Sequence, residues 1–132
     1  MTLDDLLAVP YEPDGRSAHG ADCYGLTRLA RVYLFGKPWM PCHGAVEGID
    51  KKALTQAVQA EAVNYRVAAA YPGAIATAWR AKLCTHIAIV VEVDGRRMIL
   101  ETNEPGGEDH GPRLVPVRAF EHRFLKVVYY DD

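Results

Sequence analysis

The chain has 132 residues, 49% of them hydrophobic, and its 15 basic and 17 acidic side chains leave a net charge of −2. That length supports one sizeable core, so a single domain over residues 1–132 is expected. No basic excess offers a footprint for nucleic acid and no apolar run reaches bilayer-spanning length, so neither nucleic acid nor a membrane is expected as a partner.

Met1-Thr2-Leu3-Asp4-Asp5 places two acids where a secretory leader needs a basic segment. Synthesis and folding in the cytosol are therefore expected, with delivery to any outside target left to a carrier. Leu3 to Ala8 predicts a short helix stopped by Pro10, and Glu12 to Gly20 a turn-rich approach. The next helix is predicted over 22–35: Asp22 is its N-cap, Leu26, Leu29, Ala30, Tyr33 and Leu34 recur at helical spacing, and Gly36 with Pro38 ends it. Lys37 to Gly48 has no surviving period and reads as a loop. The Ala-rich stretch from Asp50 to Ala70, apolar at Leu54, Val58, Ala62 and Tyr65, predicts a second helix, the longest of the chain.

Tyr71-Pro72-Gly73 turns the chain into a short strand over 74–80. A long hairpin follows, with Asp94-Gly95 at its tip, because a type I′ turn needs positive φ at both central residues. A two-residue loop pairs Val93 with Arg96, Ala88 with Glu101 and His86 with Asn103, and puts His86, Ala88, Glu101 and Asn103 on one face. Residues 104–112 read as a polar loop, and 114–117 and 125–130 as strands around a helical piece at 118–124. Helices first and an antiparallel sheet after them define an α+β fold.

Three side chains in this order suggest nucleophilic catalysis. Cys23 falls at the first turn of a helix, where unpaired amides and the positive end of the macrodipole lower a thiol pKa from about 8.5. Its own N–H is a candidate oxyanion donor. His86 opens the apolar strand Ile87-Ala88-Ile89-Val90-Val91 and is the candidate base. Glu101 or Asn103, across the hairpin, is placed to accept the Nδ1 proton and fix the tautomer. A competing zinc reading draws on Cys42-His43 and Cys84-x-His86, but these spacings fit structural zinc poorly, and no metal or other cofactor is expected. An odd count of three cysteines leaves at least one thiol unbridged. His19, His110 and His122 lie in polar contexts and read as surface groups.

Pro10-Tyr11, Gly20-Ala21-Asp22-Cys23-Tyr24-Gly25-Leu26, Pro72-Gly73 and His86-Ile87-Ala88-Ile89-Val90 resemble the NlpC-type cysteine peptidases, papain-like cell-wall endopeptidases, and most closely their bacteriophage-tail branch. The resemblance spans roughly residues 9–130. It implies a papain-like fold, with the Cys-bearing helix packed on the antiparallel sheet, and hydrolysis of peptidoglycan stem peptides through an acyl-enzyme on Cys23. It maps the nucleophile to Cys23, the base to His86 and an upstream Tyr near the thiol to Tyr11. The third triad position, commonly His in the family, aligns with Glu101. Asp22, Tyr24 and Asn103 are further candidates for auxiliary or substrate contacts. A phage tail would supply the carrier and other tail proteins as partners. Because Glu stands where His is usual, an inactive tail-assembly or wall-binding module of the same fold is the alternative.

Overall fold

The computed structural model describes residues 1–43, 51–106 and 110–132. Twelve elements follow in order among them: α1 (Leu3–Leu7), β1 (Arg16–Ser17), β2 (Gly20–Ala21), α2 (Cys23–Phe35), α3 (Lys52–Ala62), β3 (Arg66–Ala68), β4 (Ile75–Arg80), β5 (Leu83–Val93), β6 (Arg96–Asn103), β7 (Gly111–Pro116), α4 (Val117–His122) and β8 (Lys126–Asp131). β1 and β2 form a two-stranded ribbon, and the other six strands make one antiparallel sheet in the order β3-β8-β4-β5-β6-β7. The fold is therefore mixed α+β. No helix among the described residues is long and apolar enough to cross a membrane.

Helices cover both faces of this sheet. Leu26, Leu29 and Ala30 of α2 pack with Leu6 of α1 against Ile89, Val91 and Leu100. Beside them Leu54, Ala57 and Val58 of α3 meet Ile75 and Ile87. On the opposite face Phe120 of α4 covers Ala76, Ala78, Ala88, Val90 and Ile99. A strand buried on both faces reads as a continuous apolar run instead of an alternating one, which is why residues 87–91 are apolar throughout.

α2 starts and stops as its sequence predicts. The Asp22 side chain accepts from the Gly25 amide at 2.8 Å, and Gly36, at φ 63°, closes the far end with its own amide on the Val32 carbonyl. Asp94 and Gly95 have φ of 50° and 78°, and Val93 faces Arg96, the register of a type I′ hairpin.

Two expectations are corrected. The helix expected over 50–70 is α3 alone, 11 residues against 13 in α2. It ends at Ala62, and residues 66–68 leave to form β3 against β8. Val63, Asn64 and Tyr65 are poor helix formers beside the preceding alanines, and pairing with a distant strand decides the rest. The polar approach at 12–20 contains β1 and runs into β2, which pairs with it in a small ribbon. Part of the loop expected over 37–48, and part of that over 104–112, lies outside the described residues.

Candidate functional site

Cys23 is the first residue of α2, and its place is fixed by the turn before it. Asp22, fully buried, holds the Gly25 amide and also accepts from Arg16 Nη1 at 2.6 Å. Arg16 in turn donates to the Gly15 and Cys42 carbonyls. Gly25 packs so closely on this turn that a Cβ would run into the Gly15 carbonyl oxygen. Asp22 is thus a residue that shapes the helix start, and the Asp-Cys-Tyr-Gly spacing has a packing cause.

On the sheet, β5 and β6 pair from Val93↔Arg96 to Ile89↔Leu100. Just past that pair, Cys23, His86, Thr102, Asn103 and Tyr11 line one cleft of about 280 Å³ together with Lys51 and Arg123. Tyr11 is held there by a bridge to Ala21. The cleft therefore gathers Tyr11, Cys23, His86 and Asn103, four of the seven residues singled out in the sequence.

His86 Nε2 lies 2.8 Å from Glu101 Oε1. Burial pushes the Glu101 carboxyl up, but hydrogen bonds from His86 and Arg123 and their charges outweigh it and bring it down to about 2. An ionised carboxylate only accepts, so Nε2 is the donor and Nδ1 is the basic nitrogen of neutral His86. This corrects the sequence reading, which has Nδ1 donating. Glu101 Oε2 accepts from Arg113 Nε at 3.0 Å and from Arg123 Nη1. The imidazole is flanked by Phe120 and Phe124, with ring centroids 6.0 and 5.9 Å away.

Tyr24 is not part of this cleft. Its ring is fully buried in the core behind Cys23, its hydroxyl donates to the Pro41 carbonyl at 2.8 Å, and burial with the nearby Glu61 holds the phenol well above its ordinary pKa. An auxiliary role at the site is therefore withdrawn for Tyr24. Two residues of the zinc reading have other partners. His43 pairs with Glu61 at 2.8 Å, and Cys84 is buried with its sulfur on the His86 carbonyl and its thiol pushed up to about 12 by burial. Among the described residues no three His, Cys, Asp or Glu side chains converge on one point.

Sequence reasoning did not single out Arg113, Arg123, Lys51 or Thr102. The signal for Arg113 is its place directly opposite Glu101 on β7, a register that the intervening polar loop conceals. Arg123 arrives from beyond α4, across more than twenty residues of chain. Against protein-family models, curated proteins and solved structures, the chain finds no match.

Proposed function

We propose that the protein is a cysteine amidohydrolase of papain-like, NlpC-type architecture that cleaves peptidoglycan stem peptides. The observation that carries this reading is the shared cleft: a thiol at the start of a helix and an imidazole whose Nε2 is engaged by an ionised carboxylate both line it. In this mechanism His86 Nδ1 takes the Cys23 proton, and the sulfur attacks the scissile carbonyl. Imidazolium then gives its proton to the leaving amine, and water attacks the thioester with His86 again as base. Glu101 stabilises the imidazolium and keeps the ring oriented, as the acid does in Ser–His–Glu sites. Tyr11 and Asn103 border the cleft where substrate would lie. A phage tail is the setting that the resemblance favours.

Digestion of purified peptidoglycan, with mass analysis of released fragments, tests this. Release of peptides cut at one amide, absent with a folded Cys23→Ala protein, is the expected result. Equal release by that variant excludes covalent catalysis, and no release from several wall types moves the reading to the inactive module.

A further inference from the structure

Three elements converge on one carboxylate of a fourth. Glu101 of β6 is 1% exposed. Oε1 takes the imidazole of β5, and Oε2 takes a guanidinium from β7 and another from the residue that caps α4. We propose that Arg113 and Arg123 are positioning residues, which together pin Glu101 so that His86 keeps its proton on Nε2 and leaves Nδ1 as base. The inference rests on the proposed role of His86 and adds two residues to the machinery.

The chemistry requires such a clamp. A carboxylate withdrawn from water needs its lone pairs engaged, and one imidazole engages only Oε1. With Oε2 left bare, burial would favour the protonated acid more strongly, and a carboxyl that carries a proton can donate to the imidazole as well as accept from it. Guanidinium groups remain charged at every working pH and donate in a fixed fork, so the acid facing them stays an acceptor. The placement is economical. Arg113 sits opposite Glu101 in the β6–β7 register. Arg123 lies over the rings of Phe120 and Phe124, at 5.7 and 5.0 Å, the same two rings that flank His86. One segment, residues 120–124, thus supports both the ring and the acid that orients it. Both arginine side chains are partly exposed, at 27% and 34%, so the core does not depend on filling their volume.

The test is nitrogen NMR of the full-length protein labelled at histidine, together with the rate of Cys23 alkylation by iodoacetamide in a Cys42→Ser background. Neutral His86 should carry its proton on Nε2. In the Arg113→Gln, Arg123→Gln protein the Nδ1–H form should appear and alkylation should slow by about tenfold or more. The Lys pair at the same positions should recover part of both. A folded Gln pair with an unchanged tautomer and rate overturns the proposal. If the Gln pair does not fold, Arg123→Gln alone must shift both readouts partway, and no shift there is equally fatal. A tautomer change in a protein that releases nothing from cell wall leaves this inference standing and removes the peptidase reading, so the two fail separately.

Discussion

At Glu101, burial and charge pull in opposite directions, and charge prevails. The folded carboxyl titrates at about 2 against an ordinary 4.5, so its contribution to stability is complete above about pH 4.5 and is lost as pH falls toward 2. The difference corresponds to about 3 kcal/mol. Glu101→Gln has no such titration. Urea unfolding at a series of fixed pH values should therefore show the wild-type protein losing about 3 kcal/mol more than the variant between about pH 5 and pH 2. Equal slopes would mean that the carboxylate is not held by its three partners. At neutral pH the variant should retain weakened activity, since an amide oxygen still accepts from Nε2 but brings no charge to stabilise imidazolium. Cys23→Ala and His86→Ala should each abolish hydrolysis with an unchanged far-ultraviolet circular dichroism spectrum. Iodoacetamide near pH 6.5 should label Cys23 well before Cys84, whose buried thiol is pushed up to about 12. The hairpin register made both Glu101 and Asn103 legible as partners on the face of His86, and only the family resemblance favoured Glu101, the residue that His86 contacts. Which imidazole nitrogen faces it was not legible, because ring orientation is set by Phe120 and Phe124, which join the site only through the tertiary fold.

α2 begins at Cys23, the proposed nucleophile, and the fit of its first turn decides where the sulfur stands. Gly25→Ala puts a methyl against the Gly15 carbonyl, backbone that cannot swing aside as a side chain would. A loss of about 2 kcal/mol or more is expected by urea denaturation, together with slower Cys23 alkylation in the protein that remains folded. A neutral Gly25→Ala would show that the ribbon of β1 and β2 yields easily. Asp22→Ala removes both the helix cap and the acceptor for Arg16, so its cost should exceed the roughly 1 kcal/mol of an ordinary N-cap. These features explain what could be read early. α2 announces itself through Asp22 and Gly36, and the long hairpin through Asp94-Gly95, because the signals are local and each is satisfied within a few residues. β3 could not be read in this way. Arg66, Val67 and Ala68 become a strand only because Asp131, Tyr130 and Tyr129 lie beside them, and an Ala-rich segment leading into them has helical character of its own.

At the scale of the whole molecule, Arg31 ties α2 to the final strand. Its side chain is 1% exposed and bonds the Gly73 carbonyl, Asp131 at 2.8 Å and Asp132 at 2.7 Å, linking α2, the turn before β4 and β8. Lys37 adds a second cation on Asp132. The two aspartates are themselves partly exposed, at 28% and 49%, so water screens the pairs and the arrangement is worth less than a fully buried one. Its asymmetry makes it testable. Asp131→Asn with Asp132→Asn leaves a guanidinium buried without counter-charge, whereas Arg31→Met removes the charge and keeps the apolar stem. The Asn pair should therefore cost about 2 kcal/mol or more, and the Met variant less, measured as the shift in urea midpoint at pH 7. The reverse order would mean that Arg31 contributes through packing and its bond to Gly73, with the ion pairs incidental. Neither variant touches the turn at Asp22 that sets the position of Cys23. Alkylation of Cys23 under native conditions should thus stay at the wild-type rate while global stability falls, which separates the part of α2 that holds the molecule together from the part that presents the thiol.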